Sequence, residues 1–161
     1  MNQRFQNMVK LHQNRVYTLA AYMLRDRAEA EDVTQDTYIK LWQRMNRSDE
    51  EVSRAWLLRV ARNACIDRIR KRKPITDQVP EVGDHRDPAF RMEQDQLGKW
   101  LKDAIAGLKE PYRSLIVFRD VQQHSYQEIA EMLEMSLSQV KVYLFRARKQ
   151  LRSKLPRAET V

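Results

Sequence analysis

Cysteine is almost missing from this chain of 161 residues: Cys65 stands alone. No disulfide framework can staple the fold, and the usage suits a reducing cytosol. Glycine is scarce too, at three residues, and no stretch of more than five residues alternates apolar and polar as a half-buried strand would. Of five prolines, three (Pro74, Pro80, Pro88) crowd into one short segment. The histidines are only His12, His85 and His124, each in a different segment and none at ligand spacing with Cys65. No glycine-rich phosphate loop, nucleophile elbow or zinc spacing occurs, so neither a metal, a cofactor nor an enzymatic activity is expected. The N-terminus lacks a basic-then-apolar leader and no apolar run reaches membrane-spanning length, which leads us to expect a cytoplasmic protein without membrane insertion.

What the chain has in abundance is apolar residues at three- and four-residue spacing, the period of an amphipathic helix. Phe5, Met8, Val9, His12, Val16, Leu19, Ala20 and Met23 make a first stripe. Val33, Thr37, Tyr38, Leu41, Trp42 and Met45 make a second, followed by a loop over 46–49. Ser53 can cap a third helix whose inner side is Trp56, Leu57, Val60, Ala61, Ala64, Ile66 and Ile69, and which must end by Lys73 because Pro74 disfavours helical geometry before it. Leu97, Leu101, Ala104, Ile105 and Leu108 predict a fourth helix stopping near Gly107, and Pro111 opens a fifth through Leu115, Ile116, Phe118 and Val121. Two capping boxes follow in quick succession, Ser125 with Glu128 and Ser136 with Gln139. The second starts a stripe at Leu137, Val140, Leu144, Ala147, Leu151 and Leu155, and the pair reads as a helix-turn-helix. The expected fold class is all-α: two small helical domains, 1–73 and 91–156, joined by a flexible acidic linker over 74–90.

Charge is distributed in blocks. The net charge of +8 favours a polyanionic partner, because basic surface releases counterions from nucleic acid. Between Ala61 and Lys73 six bases face one acid, and from Lys141 to Arg157 there are seven bases and no acid. Acidic segments separate the two, at 26–51 and 76–96. Two basic patches set apart in this way suggest two nucleic-acid contacts.

On the last helix, the inward stripe forces Gln139, Lys141, Val142, Phe145, Arg146, Lys149 and Arg152 outward. Amides and guanidinium forks there suit base edges, an apolar group suits a thymine methyl, and flanking bases suit phosphates. A merely solvated charged helix accounts for the lysines and arginines but not for an outward Phe145. The third helix carries Arg62, Asn63, Asp67, Arg68, Arg70 and Lys71 behind Trp56. Asn63 can pair with an adenine edge or a flipped base, and Trp56 offers a stacking face, although a tryptophan alone is more often core. Asp32, Gln35 and Asp36 share one face of the second helix. A solvated acidic face explains them in isolation; lacking an enclosed pocket for acid–base chemistry, the other reading is a protein-binding surface.

These segments, in this order, resemble the extracytoplasmic-function (ECF, group 4) sigma factors of bacterial RNA polymerase. Ala30 to Trp42 (AEDVTQDTYIKLW) looks like the family's region 2.2, and Ala55 to Arg70 (AWLLRVARNACIDRIR) like regions 2.3 and 2.4. Leu108 to Leu115 (LKEPYRSL) resembles the start of region 4, while Ser125 to Leu133 and Val140 to Leu151 resemble its helix-turn-helix. The resemblance implies a sigma factor that binds core polymerase, melts the minus-10 element and reads the minus-35 element. By position, Asp32, Gln35 and Asp36 would dock on the beta-prime clamp helices, and region 4 on the beta flap. Trp56, Arg62, Asn63, Asp67 and Arg70, with the loop from Asn46 to Val52, would take the minus-10 DNA and a flipped base. Gln139, Lys141, Val142, Phe145, Arg146 and Lys149 would read minus-35 DNA. The linker resembles the segment that threads the polymerase active-site and RNA-exit channel. With no further C-terminal domain or Cys-rich tail, control is expected from a separate anti-sigma factor. Two departures concern the turn of the helix-turn-helix, which has Glu134-Met135 where the family often has glycine, and the recognition helix, which has SQVKVY over 138–143. A stand-alone helix-turn-helix regulator and a polymerase-binding adaptor are the alternatives. The first lacks a dimerisation seam, and the second leaves Phe145 and Arg146 without a role.

Overall fold

The computed structural model describes residues 2–72 and 88–155, with side chains over 3–72 and 96–155. Among these residues all regular structure is helical: α1 (Asn2–Leu24), α2 (Arg27–Arg47), α3 (Arg54–Lys71), α4 (Pro88–Ala106), α5 (Tyr112–Ile116), a widened π turn (Val117–Val121), α6 (Tyr126–Leu133) and α7 (Leu137–Lys154). The linker expected over 74–90 lies outside the described residues up to 87, as do Lys73 and His85; α4 takes up the chain at Pro88. None of these helices is long and apolar enough to cross a membrane.

Periodicity places the core. In α1, Val16, Leu19, Ala20 and Met23 are fully buried, and α2 answers with Val33, Leu41 and Met45. The side chain of Asp26 starts α2 by accepting the Glu29 N–H, and Ser53 starts α3 by accepting that of Trp56; each removes one orphan donor from a helix end. Helix α3 buries Ala55, Leu57, Leu58, Ala61 and Cys65, so its inner side is rotated from the expected one: Leu58 and Cys65 are inside while Trp56, Ile66 and Ile69 are half-buried. Helix α2 also runs on through Arg47, two residues into the expected loop. Trp42 lies at the rim, 37% exposed, with its ring edge-to-face on Phe5 at 5.0 Å between centroids.

In the second half, Ile105, Leu108, Leu115, Ile116, Val117 and Phe118 form the core that α6 and α7 cover with Ile129, Met132, Val140, Leu144 and Ala147. The π turn makes its bonds one residue wider than an α-helix, as in Gln122 N–H to Val117 O at 2.9 Å. It lets Val117 and Phe118 both point inward and brings Gln122 and His124 into buried positions. Helix α7 is pinned across this turn by Arg148, which forks onto Asp120 at 2.6 and 3.0 Å.

The two helical groups are packed together, α6 on α3 and α4 on α1. The seam is polar. Arg15 donates to the Gln122 carbonyl at 3.0 Å, and the Gln122 amide returns a bond to the Arg15 carbonyl at 2.9 Å. Arg113 donates to Met23 O at 3.0 Å, Arg25 to Asp103 at 2.8 Å, and Arg54 to Glu128 at 2.8 and 2.9 Å.

Candidate nucleic-acid and partner interfaces

The helix-turn-helix is built from two unequal caps. Ser136 and Gln139 complete a reciprocal box: the Ser136 side chain takes the Gln139 N–H at 3.0 Å, and the Gln139 carboxamide oxygen takes the Ser136 N–H at 2.9 Å. Ser125 likewise accepts the Glu128 N–H at 3.0 Å, but the expected return bond from Glu128 is replaced. Its carboxylate goes to Arg54 of α3 and to His124 Nδ1, 3.1 Å away. A bidentate guanidinium is a stronger partner than a backbone amide already near water, and it holds the Glu128 carboxyl down at about 2. Between the two helices the chain turns at Glu134 with φ 57° and ψ 50°. The left-handed turn is therefore made by a residue with a Cβ, and the Glu134 carboxylate is met by Arg59 at 3.2 Å.

Helix α7 presents one continuous outer face. Lys141, Val142, Phe145, Arg146 and Lys149 are exposed, Phe145 by 68%. Gln139 is exposed as well, with its carboxamide oxygen engaged in the cap and its NH2 left to donate. Arg146 lies with its guanidinium 5.5 Å from the centre of the Tyr143 ring. Leu137, expected inward at the head of the stripe, is 42% exposed because it occupies the first turn, before the helix reaches the core.

The second surface is the open groove between α2 and α3, about 740 Å³, which brings together Asp36, Ile39, Asn63, Asp67, Arg68 and Lys71. Asp32, Gln35 and Asp36 are all exposed on one face of α2. Arg68 reaches both carboxylates, each at 3.7 Å. Pairs this exposed are worth at most about 1 kcal/mol, so the acids remain available to a partner. Asn63 and Arg70 point to solvent, and Asp67 pairs with Lys71 one turn on at 3.2 Å. Trp56 stands half-buried, with the Arg44 guanidinium 5.1 Å over its ring.

Arg62 is the exception among the expected DNA contacts. Its Nε donates to Ser114 Oγ at 2.8 Å and its Nη2 to Glu110 at 3.2 Å, both in the second helical group. In this arrangement it belongs to the seam, not to the groove around Asn63. Nothing local marks Arg54, Arg113 and Gln122 as seam residues, and His124 showed only as an isolated histidine. Glu128 announced itself only as a capping residue, and nothing local could reveal a partner 74 positions away.

Cys65 is fully buried and its thiol is pushed up to about 12, chiefly by burial, so it packs as a small apolar group and is no nucleophile.

Two sequence profiles match in order along the chain: Sigma-70 region 2 over residues 8–75 and Sigma-70, region 4 over residues 98–151. The ECF RNA polymerase sigma factor SigE of Mycolicibacterium smegmatis is 32% identical across 92% of the chain, which spans 60% of that protein's length. ECF RNA polymerase sigma factor SigW of Bacillus subtilis is 30% identical across 94% of the chain and 88% of its own length. Among solved structures, RpoE of Bartonella quintana, in complex with the anti-sigma factor NepR, superposes with a TM-score of 0.72 at 24% identity, over 93% of this chain and 95% of that one. CnrH, in complex with the cytosolic domain of CnrY, gives 0.73 at 23% identity over 95% and 88%. At such identities the structural likeness speaks for the fold.

Proposed function

The chain belongs to the sigma-70 family of RNA polymerase sigma factors, in its extracytoplasmic-function branch, and from that membership we propose how its surfaces divide the work of transcription initiation. It associates with core polymerase and directs it to promoters; residues 1–73 act as region 2, 74–90 as the linker and 91–156 as region 4. The observation that carries the reading is the exposed face of α7. It combines three guanine- or phosphate-seeking side chains (Lys141, Arg146, Lys149), an amide and an unpaired phenyl ring on a helix capped for entry into a major groove.

Region 4 reads minus-35 DNA with Gln139, Lys141, Val142, Phe145, Arg146 and Lys149, and rests on the beta flap. Region 2 docks Asp32, Gln35 and Asp36 on the beta-prime clamp helices. Asn63, with Trp56, Asp67, Arg70 and the loop after α2, receives the minus-10 strand. Flipping a base costs only a few kcal/mol, which pocket hydrogen bonds and stacking offset. Arg62 joins them once it leaves Glu110. The chain supplies recognition and strand capture, and the bond-making chemistry stays with core polymerase. An anti-sigma factor holds it inactive, a reading supported by the company its structural relatives keep.

Run-off transcription with core polymerase on a promoter library tests the whole assignment. Initiation from a discrete promoter class supports it, whereas binding to a palindrome without core, or to core without initiation, sinks it. Asn63→Ala separates the steps within it: polymerase association stays intact while permanganate reactivity of minus-10 thymines falls. Undiminished reactivity removes Asn63 from strand opening.

A further inference from the structure

The polar seam between the two helical groups has an unusual centre. From α1 come His12 and Arg15, from α3 Arg54, from α6 Glu128, and from the residue pair before α6 the imidazole of His124. His12 is 8% and His124 1% exposed. Glu128 takes the Arg54 fork and lies 3.1 Å from His124 Nδ1. With the carboxylate ionised, Nδ1 carries the proton and Nε2 is the bare acceptor; Nε2 is buried and has no partner. The edge-to-face ring of Phe118, 5.7 Å between centroids, offers it none. The π turn brings one more cation, Arg119, which donates to the His124 carbonyl and stacks on Tyr126. Helix α7 brings Arg148, which Asp120 already neutralises. Besides Arg119, the centre therefore holds two guanidinium groups, those of Arg15 and Arg54, one carboxylate and two neutral imidazoles.

We propose that this centre makes the seam an acid-released latch: protonation of His12 and His124 adds cations beside Arg15 and Arg54 with one carboxylate to balance them, and the two helical groups part. Once charged, Nε2 of His124 needs water or an acceptor, and separation gives it one. Burial, with Arg54 and Arg15 acting the same way, holds both histidines below their ordinary 6.5, and Glu128 opposes only in part. The parted form thus binds protons more readily than the closed one. Closure is complete above about pH 6.5 and is lost as the pH falls below it. No carboxylate of ordinary acidity titrates in that upper range. Parting also withdraws Glu110 and Ser114 from Arg62, so its consequence for minus-10 DNA rests on the function proposed above, while the parting itself does not.

Small-angle scattering of the full chain, with far-UV circular dichroism alongside, reads the latch between about pH 7.5 and about pH 5. At neutral pH the radius of gyration is near the roughly 15 Å of a compact chain of this length. It rises by several ångströms on acidification with helicity unchanged. His12→Gln combined with His124→Gln stays compact throughout. His12→Gln alone, at the less enclosed site, halves the number of protons taken up on parting, and it decides the matter should the double variant fail to fold. A radius that does not move, an expansion unaltered by His12→Gln, or an expansion accompanied by loss of helix overturns the proposal.

Discussion

Glu134 holds the turn of the helix-turn-helix at φ 57°, where a Cβ crowds the following carbonyl at a cost of about 1–2 kcal/mol. Glycine avoids that crowding but widens the unfolded ensemble, and the substitution also removes the exposed pair with Arg59. Glu134→Gly should still gain up to about 1 kcal/mol, seen as a rise of a few degrees in the midpoint of thermal unfolding. A lower midpoint means that Arg59 contributes more than an exposed pair should. On α7 the residue proposed to read a base is Arg146, exposed in the middle of the outer face. A guanidinium there can fork onto guanine O6 and N7, worth about 1–3 kcal/mol of discrimination. Arg146→Ala should flatten preference at one minus-35 position by about tenfold when 1.4 kcal/mol is lost. Arg152, nearly two turns on, should act on phosphate, so Arg152→Ala weakens all promoters alike and lowers the salt slope by about one unit. Transcription on single-base minus-35 variants at two salt concentrations distinguishes them. Equal weakening of every variant by Arg146→Ala reduces that residue to a phosphate contact.

Helices here do separate jobs on separate faces. Helix α2 buries Val33, Thr37, Leu41 and Met45 and turns Asp32, Gln35 and Asp36 outward, so the outer face can be emptied without opening the core. Asp32→Ala with Gln35→Ala should lower affinity for core polymerase and leave helicity and thermal midpoint within error, since surface changes away from the core are usually within about 0.5 kcal/mol. Competition for core at wild-type strength by that double variant removes the assignment. Helix α6 is the counter-case. Its capping acid serves the seam, so one carboxylate ties a local element to a distant one, and the local rule yields to the stronger partner.

Across the whole molecule, the seam joins the surface expected to meet minus-10 DNA to the domain expected to meet minus-35 DNA, chiefly by arginines of the first half reaching acids and carbonyls of the second. Glu128→Gln should weaken closure by about 1–2 kcal/mol, the order of a charge-assisted hydrogen bond. The acid side gives a second signature. Because the Glu128 carboxyl lies at about 2 instead of its ordinary 4.5, its contribution is complete above about 4.5 and fades as the pH falls toward 2. With His12→Gln and His124→Gln holding the seam closed through about pH 5, acid titration followed by circular dichroism and scattering should show that step. Adding Glu128→Gln should remove it, whereas a step of full size in the triple variant places the effect elsewhere.

Helix number and the outer face of α7 were legible in the sequence because each depends on neighbours three or four residues apart, the range over which side-chain period and capping operate, whereas the π turn over Val117–Val121, expected as a plain continuation of the fifth helix, was not. The same reach explains why Asp32, Gln35 and Asp36 could be placed on one face and why the family motifs stood out in order. The rotation that buries Leu58 and Cys65 and leaves Trp56 half-buried was not legible, since it depends on which residues of α1, α2 and the second half occupy the space opposite. Arg62 read as part of a DNA-binding run from its neighbours, and only folding set it against Ser114 and Glu110, 52 and 48 positions away. Glu128 read as a cap until Arg54 was brought to it. The sequence by itself determined the helices and the chemistry on their surfaces; the tertiary structure decided which charges face water and which face each other, because an ion pair between distant positions leaves no period in the chain.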